Sequence, residues 1–292
     1  MESKSASLLS DTELAELVNH SFEGYMGSPV SHTGESLVKW CAANYVDLPL
    51  SYIFYLPDES STKPVGFGVM GIREDKPTHS RLVAMGVVPE SQGKRVGGRA
   101  LAKIIEGERE RGMEVLELEV INSNERGVKL YKSAGFEIVR ELVGWEKNAA
   151  VSSPEGAEDV AGLLSELREC SVEDVDVLVK PSCAEDLAWQ AWGFARSVSP
   201  QRAFTLNEEA YCVISVPEQE DQAITITCLF VKPESRGKGA SVRLARAMEA
   251  KFPGRKWWLK PIFPREYGEK LAKATGFTEL GVGEYQMRLK LK

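Results

Sequence analysis

The chain has 292 residues, of which 43% are hydrophobic and 27% charged, and its formal net charge at pH 7 is −7. This composition is that of a globular protein, and the length exceeds one typical domain and fits two. The acidic balance argues against nucleic acid as a partner, and no run of eighteen apolar residues predicts a membrane-spanning helix.

Two helices are predicted at the start of the chain. Ser10 and Glu13 form a capping box ahead of apolar residues at helical spacing, and 34–44 carries a second amphipathic pattern. Strands are expected at 51–56, 65–72 and 80–88, with 57–64 as the turn between the first two. After a glycine-rich loop come a helix at 97–111, a strand at 114–121, a helix at 125–133 and a strand at 136–146.

The second half of the chain begins after 147–158, where small and polar residues predict a linker. Further elements are expected as a helix at 159–169, strands at 203–206, 210–216 and 223–231, a helix at 240–251, a strand at 256–260, a helix at 265–274 and strands from 277 onward.

The two halves contain an internal repeat. The run PESQGK from Pro89 recurs as PESRGK from Pro233, and AGF ending at Phe136 recurs as TGF ending at Phe277. The first proline and the last glycine of these landmarks lie 46 residues apart in one copy and 43 in the other. Two copies of one fold are the simplest explanation.

Cysteine and histidine usage argues against a disulfide framework and a metal site. An odd number of cysteines without C-x-x-C spacing, behind a polar start, predicts reduced thiols in the cytoplasm. The five are Cys41, Cys170, Cys183, Cys212 and Cys228. The three histidines, His20, His32 and His79, lack metal-ligand spacing, so no metal is expected.

A glycine-rich loop follows the strand at 80–88 and reads QGKRVGG from Gln92 to Gly98. Glycines let the backbone close on a ligand, and successive N–H groups at a helix start bind anions. A pyrophosphate is the expected ligand. The loop matches neither the Walker pattern nor G-x-G-x-x-G.

Together with LEVINSNERGVKLYKSAGF at 118–136, this loop resembles the GNAT acetyltransferase family, whose signature is Q/R-x-x-G-x-G/A followed by N-x-x-A-x-x-L-Y-x-x-x-G-F. The resemblance is close over 65–146 and looser over 1–64. It implies an α/β (α+β) chain of two GNAT-like domains, 1–147 and 159–292. Each would have a mixed, mostly antiparallel sheet with a central parallel pair and flanking helices.

The resemblance also implies roles for particular residues. Acetyl-CoA would be the co-substrate, with its pantetheine arm on the main chain of Met85, Gly86 and Val87 and one N–H polarising the thioester carbonyl. Asn124 would hydrogen-bond the same arm, Tyr131 would protonate the departing thiolate, and Glu119 would be a general base. The rest of the binding site would be Gln92, Gly93, Lys94, Arg95, Val96, Gly97 and Gly98.

Structural alternatives accompany several of these roles. Tyr131 is also a packing position on an amphipathic helix, and Asn124 is also a helix N-cap. Glu119 falls where an alternating strand displays a solvent-facing glutamate. Arg95 replaces a glycine of the family pattern. If that position needs a left-handed backbone, arginine costs about 1 kcal/mol or more; alternatively, its side chain contacts a phosphate.

The second copy retains the loop and lacks the leaving-group acid. Ser241 takes the last small-residue position, whereas Ala272 and Arg265 stand at the tyrosine and asparagine positions, and Tyr267 is close in sequence only. This copy is predicted to be a non-catalytic domain that supports structure or shapes the substrate site, and weak retained affinity for CoA is left open. Four tryptophans are predicted to be buried packing residues, with an acceptor pocket as the alternative: Trp189, Trp192, Trp257 and Trp258.

The predicted activity is direct transfer of an acetyl group from acetyl-CoA to a primary amine, on a small molecule or a peptide, without a metal. The alternative is a CoA-binding sensor or scaffold in which neither half turns over. Arg95 and the degenerate second copy suggest that alternative.

Overall fold

The computed structural model describes residues 1–26, 30–57, 63–149, 160–183, 188–192 and 200–292. The chain forms two compact units that do not follow chain order. Unit 1 comprises 1–140 and 285–292, and unit 2 comprises 141–284. The predicted boundaries, 1–147 and 159–292, therefore differ from this division. Most of the predicted linker, and the tip of the predicted turn at 57–64, lie outside the described residues.

Unit 1 follows the predicted order of elements and adds a short first strand. The capping box is confirmed, because the Ser10 hydroxyl accepts from the Glu13 N–H and the Glu13 carboxylate accepts from the Ser10 N–H. The strands are β1 Glu2–Ser5, β2 Tyr52–Tyr55, β3 Gly66–Ile72, β4 His79–Val87 and β5 Val115–Ile121; the helices are α1 Asp11–Ser21, α2 Gly34–Ala43, α3 Val96–Glu110 and α4 Glu125–Ser133.

Two long strands account for the unexpected division. β6 Glu137–Lys147 enters unit 2 at Glu141, and β12 Thr278–Lys290 enters unit 1 at Tyr285. In unit 1 the sheet order is β1-β2-β3-β4-β5-β12, with β1 to β4 antiparallel and β4 and β5 parallel. The first unit therefore takes its last strand from the end of the chain.

A buried polar cluster attaches this last strand to β5. The Glu117 carboxylate, almost out of solvent, accepts from the Gln286 amide at 2.7 Å and from the Arg288 guanidinium at 2.5 Å. The Leu291 N–H donates to the Glu114 carbonyl at 2.8 Å. Because a buried carboxylate needs charged or hydrogen-bonding partners, Glu117 depends on the C-terminal strand.

The parallel strands β4 and β5 separate soon after they meet. Their pairing ends at Arg81 and Glu117, whereas β4 stays paired with β3 as far as Val87. A register shift against β3 leaves Val83 as a β-bulge. Within the described chain no strand pairs with the β5-facing side of 82–87, so alternate main-chain groups there are available to a ligand.

Unit 2 repeats the arrangement, with sheet order β7-β8-β9-β10-β11-β6-β12 and a parallel β10–β11 pair. Its elements are α5 Val160–Glu166, β7 Leu167–Cys170, α6 Val172–Cys183, α7 Trp189–Trp192, β8 Gln201–Leu206, β9 Ala210–Ser215, β10 Ile224–Val231, α8 Ala240–Lys251, β11 Trp257–Pro264 and α9 Arg265–Thr275. The predicted helix at 159–169 is shorter, because 167–170 pairs with β8 as an edge strand. The sequence patterns did not predict β1, β7, α6 or α7.

The predicted fold class is confirmed in both units, which have mixed sheets with one parallel pair and flanking helices. None of the helices in the described ranges is both long and apolar enough to cross a membrane.

Candidate active site

The gap between 82–87 of β4 and 118–121 of β5, here called the β4/β5 cleft, brings the predicted pantetheine residues together. Met85 and Val87 are half-buried, and Gly86 is buried. A Cβ on Gly86 would lie 2.6 Å from the Ser21 Cβ and 2.7 Å from the Phe67 ring. Packing of α1 and β3 against β4 therefore requires glycine here.

The glycine-rich loop connects the end of β4 to the first turn of α3. The Gln92 side-chain amide donates to the Val87 carbonyl at 3.0 Å, which ties the loop to the end of the cleft. Gly93 and Arg95 both have a left-handed backbone, with φ of 74° and 60°. Arg95 is the N-cap of α3 and its side chain is exposed. The position of Arg95 therefore does have the left-handed backbone that was one of the two cases considered for it.

Arg95→Gly is expected to stabilise unit 1 by about 1 kcal/mol, because glycine adopts this backbone without the clash of a Cβ. Acetyl-CoA binding should weaken if the guanidinium contacts a phosphate. Thermal melts with and without acetyl-CoA separate the two effects, and Arg95→Lys is the matched control. Lower stability of the glycine variant would contradict the strain argument.

The first turn of α3 has room for a side-chain atom beside Gly97 and Gly98. A Cβ on Gly97 or Gly98 would come no closer than 3.8 Å to any neighbouring atom, so the chain's own packing does not demand glycine there. The helix N-terminus directs free N–H groups at this space. Lys94, Arg95 and Arg99 are exposed around it. These residues fit the pyrophosphate of acetyl-CoA.

Asn124 and Tyr131 lie on the same short helix beyond the cleft. The Asn124 side chain accepts from the Gly127 N–H at 3.0 Å, which confirms its N-cap role. The Tyr131 ring packs edge-to-face against Phe136 at 5.8 Å. Burial raises the pKa of Tyr131, and the nearby Tyr25 raises it further. The phenol therefore stays protonated, as a proton donor must be.

The segment after α1 brings further residues to the site that the sequence patterns did not indicate. Tyr25 packs edge-to-face on Phe22 at 5.1 Å and lies near Tyr131. The Ser123 hydroxyl donates to the Met26 sulfur at 3.7 Å, which links this segment to the β5–α4 loop. Tyr25 and Met26 follow the last turn of α1 and continue no periodic pattern. No feature of the sequence therefore indicates that they lie at the site.

Glu119 forms a buried ion pair with Arg81 at the inner end of the β4/β5 cleft. The Arg81 Nε donates to the Glu119 carboxylate at 2.7 Å, and each side chain is 2% exposed. The Arg81 guanidinium also donates to the Asn44 side-chain oxygen at 3.4 Å. The solvent-facing alternative for Glu119 is therefore wrong. Its role as a general base stays a prediction.

The structure also places the predicted aromatic residues of the second half of the chain. Of the four tryptophans predicted to be buried, Trp189, Trp192 and Trp257 are buried and Trp258 is half-buried. Tyr267, expected to be near in sequence only, lines a cavity of unit 2.

Cys41, Cys170, Cys212 and Cys228 are free thiols, and the side chain of Cys183 is not among those described. In the described part of the chain, no His, Cys, Asp and Glu side chains gather into a metal-binding group.

Comparison with known proteins agrees with this geometry. Residues 14–136 match the model of the acetyltransferase (GNAT) family. A mycothiol acetyltransferase from Propionibacterium freudenreichii subsp. shermanii is 38% identical over 89 residues, which are 30% of this chain and 28% of that protein. The aligned segment thus spans under a third of the relative.

Solved structures share the fold over the whole chain. A GCN5-related N-acetyltransferase from Sphaerobacter thermophilus has a TM-score of 0.64 at 13% identity, covering 100% of this chain and 96% of that one. One from Anabaena variabilis has a TM-score of 0.65 at 13% identity, covering 100% and 73%. The loop, the β4/β5 cleft and the Asn124–Tyr131 helix all lie within residues 14–136, the segment that matches the GNAT acetyltransferase family, and the solved structures show the fold that goes with it.

Proposed function

We propose that unit 1 is an acetyl-CoA-dependent N-acetyltransferase that acts on a primary amine of a small molecule or a peptide. The observation that carries the proposal is the β4/β5 cleft, with the glycine-rich first turn of α3 after one of its two parallel strands and α4, which carries Tyr131, after the other. The free thiols agree with a reducing compartment such as the cytoplasm.

Binding rests on main-chain groups. The N–H groups at the start of α3 hold the pyrophosphate, helped by the exposed cations of the loop. The unpaired edge of β4 from Met85 to Val87 pairs with the amides of the pantetheine arm, and one N–H there polarises the thioester carbonyl. A positioned donor of this kind contributes on the order of 10²–10³ in rate.

The chemistry needs two proton movements. The neutral amine nitrogen attacks the carbonyl carbon of the thioester. The new C–N bond forms while the nitrogen gives up a proton to a base. The C–S bond then breaks, and Tyr131 donates its proton to the sulfur. The phenolate regains a proton from solvent. Acetamide and thiol are the products.

Glu119 is our proposed base, acting through water. Its carboxylate is held by Arg81 and its side chain is out of solvent, whereas the residue as a whole is partly exposed. Its main chain therefore faces the cleft.

The second candidate is a CoA-binding protein that does not turn over. Arg95 in a left-handed backbone favours it, because this departure from the family pattern weakens a loop that catalysis needs. The test is thiol release from acetyl-CoA with a broad panel of amines. Release above the hydrolysis background supports the enzyme; stabilisation by acetyl-CoA without release supports the binding protein.

The pH dependence of the rate offers a further check. Because burial raises the pKa of Tyr131, kcat/KM should not decline through loss of its proton up to at least about pH 10, the ordinary phenol value. The rate should rise with pH as the acceptor amine loses its proton. Initial rates from about pH 6 to about pH 10.5 measure this. A falling limb near pH 9 that the Tyr131→Phe variant lacks would contradict it.

A further inference from the structure

Ser21, the last residue of α1, has a buried hydroxyl group that forms no hydrogen bond within the described part of the chain. The residue is 6% exposed, and its Oγ is closed to water in the free protein. A hydroxyl in this state destabilises a protein, because it has lost its hydrogen bonds to water and gained none in exchange. Its presence in α1 therefore needs an explanation other than packing.

The hydroxyl does not form the bond that helical serine and threonine side chains usually form. Such side chains donate to the carbonyl four residues earlier. Thr275, at the end of α9, donates in this way to the Leu271 carbonyl at 2.7 Å. The same position relative to Ser21 is the Leu17 carbonyl, and that bond is not formed. The Ser21 hydroxyl is thus not held by its own helix.

Ser21 packs against the middle of the proposed thioester-binding strand. A Cβ on Gly86 would lie 2.6 Å from the Ser21 Cβ, so the serine takes the space that a side chain of β4 would occupy. The Phe67 ring is equally close to that point, and Phe22 packs on Phe67 with ring centroids 5.9 Å apart. In these apolar surroundings a hydrogen bond from the hydroxyl is stronger than it would be in water.

The main-chain groups on either side of this contact face the β4/β5 cleft. In an antiparallel pair, every second residue turns its N–H and C=O to the partner strand. The Val88 N–H donates to the Val65 carbonyl at 3.0 Å, so by this alternation Gly86 also pairs with β3. Met85 and Val87 turn their main-chain groups the other way. A group bound to either of them lies next to the unpaired hydroxyl.

The thioester oxygen is the atom that can use this donor. A carbonyl oxygen accepts two hydrogen bonds, and a single main-chain N–H supplies one of them. When the amine attacks, the oxygen gains negative charge, and a hydrogen bond to a charged acceptor is about twice as strong as one to a neutral acceptor. Serine has one side-chain rotor, so its hydroxyl can be redirected towards a bound group without a change in the backbone.

We propose that Ser21 is a catalytic residue of unit 1, whose hydroxyl donates a hydrogen bond to the thioester oxygen as that oxygen becomes negative. The inference rests on the proposed function, which puts the thioester beside Met85 and Val87. Ser21 keeps its proton, so the two proton movements of the reaction are unchanged. The unpaired hydroxyl of the free protein is then a loss of stability that serves the reaction.

Ser21→Ala tests the proposal, and Ser80→Ala is its matched control. Ser80 is also on β4, fully buried and without a hydrogen bond to its hydroxyl in the described chain, but it lies where β4 pairs with β5, outside the cleft. Each variant removes one unpaired hydroxyl and adds no atom. Both should therefore fold, and each should raise the melting temperature of the free protein by about 2–4 °C.

Three further measurements separate the two serines. Calorimetry gives the affinities for acetyl-CoA and for CoA, which lacks the carbonyl, and thiol release gives kcat. Ser21→Ala should lower the preference for acetyl-CoA over CoA by about fivefold and lower kcat by on the order of 10². Ser80→Ala should change neither quantity. The affinity for CoA itself should stay at the wild-type value in both variants.

The outcomes distinguish this inference from the proposed function. If wild type turns over and Ser21→Ala has the same kcat and the same preference, the role of Ser21 is overturned while the proposed function stands. A higher KM for the amine as the only change overturns it too, because the contact would then be to the acceptor. A lower melting temperature of Ser21→Ala would reveal a partner in the free protein and overturn the premise. If wild type prefers acetyl-CoA but turns over no amine, and Ser21→Ala loses that preference, the proposed function fails and the contact to the thioester stands.

Discussion

Deletion of residues 285–292 is expected to abolish acetyl-CoA binding and turnover by unit 1, although every residue proposed to bind or react with acetyl-CoA lies between Ser21 and Tyr131. The reason is that unit 1 takes its last strand from this segment. Without it, β5 becomes an exposed edge, and β5 is one wall of the β4/β5 cleft.

The expected loss is large because apolar and polar contacts disappear together. Met287, Leu289 and Leu291 belong to the buried core of unit 1. Removing one such side chain costs about 2–5 kcal/mol, and a whole domain is stable by only about 5–15 kcal/mol. Glu117 would also lose both of the partners on this strand, Gln286 and Arg288.

Thermal unfolding, with and without acetyl-CoA, and amide hydrogen exchange of β5 measure this effect. Deletion of Lys292 alone is the control, because this residue is exposed and lies outside β12. A truncated protein that binds acetyl-CoA with wild-type affinity would show that the strand does not support the cleft.

Tyr131→Phe is expected to lower kcat by about 10²–10⁴, the usual contribution of a positioned proton donor. Stability and acetyl-CoA affinity should stay near wild type, because phenylalanine preserves the packing against Phe136 and removes only the hydroxyl. The readouts are thiol release at saturating acetyl-CoA, thermal unfolding and calorimetric binding.

The neighbouring tyrosine provides the control for this experiment. Tyr25→Phe removes a hydroxyl close to Tyr131 and should affect kcat much less, because Tyr25 is not the proposed donor. Equal losses in both variants would point to a shared polar network in place of a single acid. Full activity in Tyr131→Phe would assign the residue a packing role.

The local geometry of the glycine-rich loop and of the α4 cap could be predicted from the sequence, because local rules govern it. The glycines of the loop, the left-handed N-cap of α3 and the Asn124 N-cap of α4 each depend on residues only a few positions away. Their spacing in the sequence is therefore enough to predict them. The left-handed backbone of Arg95 agrees with the glycine that the family pattern places there.

Non-local features could not be predicted in the same way. The partner of Glu119 is 38 positions away on another strand, and alternation alone suggested solvent. The predicted domain boundaries differ from those of the two units for a related reason. β6 and β12 have alternating patterns that fit either sheet, and main-chain pairing does not depend on side-chain identity.

The placement of β12 also bears on the order in which the protein is made and folds. Domains usually fold as they leave the ribosome, the N-terminal one first. Here unit 2 is continuous over 141–284, whereas unit 1 needs residues 285–292, which are synthesised after the whole of unit 2. We therefore expect unit 1, whose synthesis begins first, to complete its fold and its candidate reaction centre only after unit 2 has been synthesised.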